Sequence, residues 1–184
     1  LWRSDFKSDF PFYYAQLTSR EDRSAWPEFR NAQRELLAEV KNSKMVVISD
    51  VGDRQDTHAK NKKPVGERLA LLALGDTYKK IKDYESPMFY KATLSKTICI
   101  IKFKGKFNGL KTKDSKKIIG FEISTDNIIF EKITPIIEGK KIKFKVPNTY
   151  KKPIYIRYAW QPYSEANLTS NLGLPVSTFR AKIK

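Results

Sequence analysis

Apolar positions change their period along this chain. In the first half, "PFYYAQL" (11–17) and "MVVISD" (45–50) are short runs of adjacent apolar residues, the second rich in β-branched side chains, and both predict buried strands. Between them, "SAWPEFRNAQRELLAEVKN" predicts a helix: Pro27 and Glu28 mark its start, and Phe29, Ala32, Leu36, Leu37 and Val40 fall on one face. Strand, crossover helix and strand compose the parallel βαβ unit. Past a polar loop, Pro64 opens a second helix with Val65, Leu69, Leu72, Leu71 and Leu74 as apolar positions, ending near Gly75 or Tyr78. It predicts the next covering helix of an α/β layer.

From about Met88 the period shortens to two. "TICIIKFKGKF", "KIIGFEIST", "NIIFEKI", "KKIKFKVP" and "KPIYIRYAW" alternate apolar with polar residues, and Asn-Gly, Asp-Asn, Glu-Gly and Pro-Asn pairs punctuate them. The pattern predicts a small antiparallel β sandwich. The expected fold class is therefore α/β plus β, divided into residues 1–87 and 88–184. The last polar stretch, "NLTSNLGLPVSTFR", is turn-rich and is expected to pack back across a domain surface without chemistry of its own.

The charge follows the same division. Residues 1–87 carry 16 Lys and Arg against 14 Asp and Glu, net +2, whereas the remainder carries 20 against 6, net +14. Of those 20 basic residues 18 are Lys. Lys102, Lys104 and Lys106 alternate with Ile101 and Phe103, and Lys141, Lys143 and Lys145 with Ile142, Phe144 and Val146, as on the solvent face of a half-buried sheet. Lysines also guard sheet edges against aggregation. Arginine, whose fork grips phosphate, is scarce here and the lysines read as solvated faces, so no nucleic-acid partner is expected.

The lone Cys99, within "ICIIKF", excludes an intrachain disulfide and reads as a small buried hydrophobe. No apolar run is long enough to span a bilayer. The opening "LWRSDF" has neither an initiator Met nor a signal-peptide pattern, so upstream sequence is expected.

The only histidine, His58, follows the strand "MVVISD" in the polar loop "DRQDTHAKNK". Open α/β sheets place ligands beyond the carboxyl ends of their strands. A neutral imidazole there can take a proton from a serine hydroxyl if a carboxylate orients it, and Asp56 and Asp53 are the local candidates. Asp50, Asp53 and Asp56 without a second His or a Cys make a poor metal set, and neither metal nor cofactor is expected. Arg30 and Gln33, three apart on the first helix, are assigned structural roles, as surface or inter-element hydrogen bonds. Trp26 and Trp160 are assigned to packing.

Several segments, taken in order, resemble the C-terminal portion of sialate O-acetylesterases, carbohydrate esterases of the SGNH hydrolase superfamily. They are "PFYYAQL", "FRNAQRELL", "MVVISDVGDRQDTHAKNKKPVGERLALLALGDTY", "PIYIRYAW" and "NLTSNLGLPVSTFR". The resemblance implies part of a flavodoxin-like three-layer α/β/α catalytic domain followed by a small antiparallel β-sandwich domain. It also implies a secreted or periplasmic serine esterase that removes acetyl groups from sialic acids or other O-acetylated glycans.

It puts the catalytic histidine on His58. It departs from this chain at Ala59, where the family has proline, at Thr57, where it has an apolar residue, and at Gln55, where its orienting aspartate would fall. Asp56 is therefore the first candidate for the acid and Asp53 the second. No serine here has a glycine two residues before it, as the family's Gly-Gln-Ser-Asn nucleophile segment requires. The expectation is a His58 whose serine lies on a missing N-terminal segment, with this chain alone inactive. An acetylxylan-type esterase and a non-catalytic carbohydrate-binding or assembly module are the alternatives.

Overall fold

The structure, a computed structural model, describes residues 1–58, 60–150 and 154–184. Ala59, and Lys152 and Pro153 of the strand expected in "KPIYIRYAW", lie outside the described residues.

After a short helix α1 (Trp2–Asp5), strands β1 (Phe12–Ala15) and β2 (Ser43–Val46) pair in parallel with Tyr14 opposite Met45 and Ala15 opposite Val46. Alternation along these strands sends side chains to opposite faces. Tyr14, Met45 and Val47 pack towards Leu37 of helix α2 (Trp26–Glu39). Tyr13, Ala15, Val46 and Ile48 pack towards Leu69, Leu71 and Leu72 of helix α3 (Lys63–Leu72) and its surroundings. Each helix thus covers its own face of the pair.

Of the predicted apolar stripe of α2, Leu37 alone faces the sheet. Phe29, Leu36 and Val40 are 57%, 49% and 43% exposed, and Ala32 is exposed as well. The face turned inward carries Pro27, Arg30, Gln33 and Leu37. Helix α3 stops at Leu72 and widens into a π turn, Ala73–Thr77, closed by Tyr78 N–H on the Ala73 carbonyl at 2.9 Å. Gly75 is required there, since a Cβ would stand 2.0 Å from the Tyr84 ring.

The second half builds two four-stranded antiparallel sheets. One has the order β3-β4-β9-β8, from β3 (Met88–Ser95), β4 (Ile98–Lys104), β8 (Ile136–Glu138) and β9 (Lys141–Lys145). The other has the order β12-β10-β6-β7, from β6 (Phe121–Ser124), β7 (Glu131–Ile133), β10 (Tyr155–Tyr158) and β12 (Phe179–Lys182). A third pair joins β5 (Leu110–Thr112) to β11 (Leu168–Ser170). Ala92, Cys99, Ile101, Ile142 and Phe144 of the first sheet share one core with Phe121, Ile123, Ile156, Tyr158 and Phe179 of the second. Phe89 stacks on Phe179 with centroids 4.3 Å apart. Cys99 is fully buried there, and burial pushes its thiol up to about 12.

Three expectations need correction. "NIIFEKI" forms a strand only from Glu131, because Asp126 accepts the N–H groups of Ile128 (2.8 Å) and Ile129 (2.9 Å) in a tight bend that leaves both isoleucines exposed. The lysines of β4 and β9 are not edge guards, since both strands lie inside their sheet. The polar tail "NLTSNLGLPVSTFR" does not lie across a surface: Leu168, Ser170, Val176, Ser177, Thr178 and Phe179 are buried, and the stretch supplies β11 and enters β12.

Its polar groups are satisfied internally, which removes the cost of burying them. Asn167 donates to Asp114 and to the Lys117 carbonyl, each at 3.0 Å, and accepts from Ile119 N–H at 3.0 Å. Tyr158 Oη accepts from Leu168 N–H at 2.9 Å.

Candidate functional site

β1 and β2 run parallel, so the segments after both strands emerge at one end of the pair. After β2 the chain makes a 3-10 turn, Ser49–Val51, and then the loop that carries Asp53, Asp56 and His58 before α3 begins at Lys63. Gly52 brings this loop against the segment that follows β1: a Cβ there would meet the Ser19 carbonyl oxygen at 2.4 Å and its nitrogen at 2.7 Å. The Gly52 backbone is extended, with φ −65°, so the requirement is space rather than conformation.

Polar contacts fix the same junction. Arg20 donates to Thr57 Oγ1 at 2.6 Å and pairs with Asp22. Arg54 reaches Glu21 at 2.9 Å and Glu165 at 2.6 Å, and its guanidinium lies 4.4 Å from the Tyr163 ring centroid. Arg54 also lines an open cleft of about 390 Å³ with Trp160, Gln161, Tyr163, Glu165 and Phe121. The loop therefore abuts residues 160–166 of the second half.

Within the loop the aspartates bind backbone. Asp53 Oδ1 accepts from Gln55 N–H at 2.9 Å and Asp56 N–H at 3.1 Å, which holds its carboxyl below the usual range, with Lys60 adding to the effect. Asp56 Oδ1 accepts from the His58 main-chain N–H at 2.8 Å. The His58 ring is exposed, and among the described residues no hydrogen bond or ion pair joins it to either carboxylate or to a hydroxyl. Asp50 is committed elsewhere: it receives Arg68 through both oxygens, at 2.6 and 2.7 Å, while Arg68 also donates to the Val47 carbonyl at 2.7 Å. Among the described residues no cluster of three or more His, Cys, Asp or Glu forms.

Arg30 and Gln33 both link elements, one of the two structural roles expected of them. Arg30 is fully buried on α2 and donates to Thr178 Oγ1 and to the carbonyls of Thr18, Pro162, Ala159 and Gln161, between 2.6 and 3.2 Å. Burial without a contacting carboxylate lowers its pKa to about 10, opposed by the nearby charge of Glu28. Gln33 accepts from Leu17 N–H at 2.7 Å, and Gln16 donates to the Arg30 carbonyl and to Ser177 Oγ. The buried partners Ser177 and Thr178 come from the tail to which sequence reasoning assigned no task. Its Ser-Thr pair beside Phe179 was the available signal.

Comparison with solved structures gives a close match to the crystal structure of a carbohydrate acetylesterase from Xanthomonas citri. The TM-score is 0.88 at 29% sequence identity, covering 98% of this chain and 43% of that one. The chain has a carbohydrate esterase-like fold and spans less than half the length of that enzyme. No protein-family model and no curated protein matches it. Among the described residues no helix is long and apolar enough to cross a membrane.

Proposed function

We propose that this chain is the C-terminal part of a secreted or periplasmic serine carbohydrate O-acetylesterase. The observation that carries the reading is the likeness over 98% of the chain, at 29% identity, to a carbohydrate acetylesterase. In this reading residues 1–87 complete an SGNH-type three-layer catalytic domain and residues 88–184 form its β-sandwich companion. An upstream segment of the same protein supplies further strands and the nucleophilic serine.

Two features support an added segment. A parallel pair of strands is normally the interior of a wider sheet covered on both faces. The apolar stripe of Phe29, Leu36 and Val40 on α2 also lacks a cover in this chain.

His58 acts as the general base. It removes the proton of the serine hydroxyl as the oxygen attacks the acetyl carbonyl, then returns it to the sugar oxygen that leaves; water attacks the acetyl-enzyme by the same route. Asp56, with Asp53 as second candidate, orients the imidazole, an arrangement that tightens when substrate closes the site. Esters of O-acetylated sialic acid are the proposed substrate, and the cleft bordered by Arg54 and Trp160 has the size to hold a sugar unit beside the loop.

The test is acetate release by the full-length protein from O-acetylated sialic acid, acetylated xylan and an unesterified control. Release from the sialic acid ester is expected to exceed that from xylan. Release only from xylan would replace the substrate. Release from neither, with the protein retaining bound glycan, would replace catalysis by a binding module.

A further inference from the structure

We propose that the outward face of the β3-β4-β9-β8 sheet binds an acidic, carboxylate-bearing polysaccharide, at a site separate from the His58 loop. Alternation turns Ala92, Cys99, Ile101, Ile142 and Phe144 into the core. It therefore turns Lys91 of β3, Lys102 and Lys104 of β4, and Lys141, Lys143 and Lys145 of β9 outward. Lys91, Lys102 and Lys141 are direct partners in the register, forming one row across three strands. Neighbouring strands stand about 4.8 Å apart, so their ammonium stems run side by side.

Like charges directly opposite one another destabilise a sheet. The only acid within these strands, Glu138 of β8, closes the row and pairs with Lys143 at 3.7 Å. Among the described residues it is the only ion pair that any of the six lysines makes. Protection of edges does not account for the five lysines of β4 and β9, which are inner strands. Solubility would be served by both signs interspersed. A polyanion lying across the rows relieves the repulsion.

The chemistry favours carboxylate over phosphate. None of the basic residues on these strands is an arginine, the side chain that grips phosphate with a bidentate fork. The exposed ring of Tyr90, 5.6 Å from Lys91 Nζ, gives a flat apolar face for a sugar ring beside the charges.

The experiment measures binding of the full-length protein to polygalacturonate, to its fully methyl-esterified form and to double-stranded DNA at about 0.15 M salt. One variant, K102E/K141E/K143E, is compared with K62E/K63E/K79E, which changes the net charge equally elsewhere. Loss of at least about tenfold in polygalacturonate affinity is expected for the sheet variant and about twofold or less for the control, with weak binding of the esterified polymer. If the glutamate variant unfolds, K102Q/K141Q/K143Q compared with K62Q/K63Q/K79Q provides the same reading. Equal losses in both variants, tighter binding of DNA than of polygalacturonate, or no binding by the unaltered protein would overturn the proposal.

Discussion

Gly52 shows how a single missing methyl group sets a loop. Its φ is compatible with any residue, so Gly52→Ala has no conformational penalty, yet the new Cβ would press on the Ser19 backbone at 2.4 Å. We expect this variant to shift the His58 loop, with a tenfold or greater fall in esterase kcat/KM and a lowered Tm, checked by ester hydrolysis and thermal unfolding. Unchanged activity would mean that the junction relaxes freely. For the acids, Asp56→Asn is expected to cost more activity than Asp53→Asn, because Asp56 already touches the His58 main chain at 2.8 Å. The reverse ranking would move the orienting role to Asp53.

At the scale of elements, α2 is held by its polar face. Removing the Arg30 guanidinium would take a donor from the buried carbonyls of Thr18 and Ala159, from the part-buried carbonyls of Pro162 and Gln161 and from the Thr178 hydroxyl, so Arg30→Ala is expected to lower stability by about 3–5 kcal/mol in denaturant unfolding. A loss below about 1 kcal/mol would show that water replaces it. This helix also marks where sequence reading succeeds and fails. Period and Pro27 located it correctly, but apart from Leu37 its apolar stripe pointed to the wrong face, because a buried arginine is legible only once its acceptors, distant in sequence, are known. The tail failed for the same reason: Asn167, Ser170, Ser177 and Thr178 look like surface residues until their partners on other elements appear. Alternation found β4 and β9, where each apolar residue meets the shared core, while β5, β8 and β11, three residues each, are too short to carry a period. The position of His58 after a parallel strand was legible; the contacts that fix its loop, through Arg20 and Arg54, were not.

For the whole molecule, burial raises the thiol of Cys99 and the phenols of Tyr158, Tyr14 and Tyr84. The folded state then retains protons that the unfolded chain gives up, so stability is full below the unfolded thiol value of 9.0 and falls as pH rises towards about 12. Arg30, lowered to about 10, acts in the opposite sense as a single group. Urea midpoints measured at pH 8 and pH 11 are expected to drop, and a flat profile would contradict the burial of these groups. Cys99 should also resist alkylation until the chain is denatured.

The proposed upstream segment predicts that the encoding gene contains a Gly-Gln-Ser-Asn-like sequence before Leu1 and that this chain alone hydrolyses no acetyl ester above background. Hydrolysis by the single chain that depended on one of its own serines would refute that division of labour. The central claim, a carbohydrate esterase using His58 as general base, is tested most directly by kcat/KM for acetyl ester hydrolysis in full-length His58→Ala. A loss of about 100-fold or more with an unchanged Tm is predicted; a loss below about tenfold would contradict it.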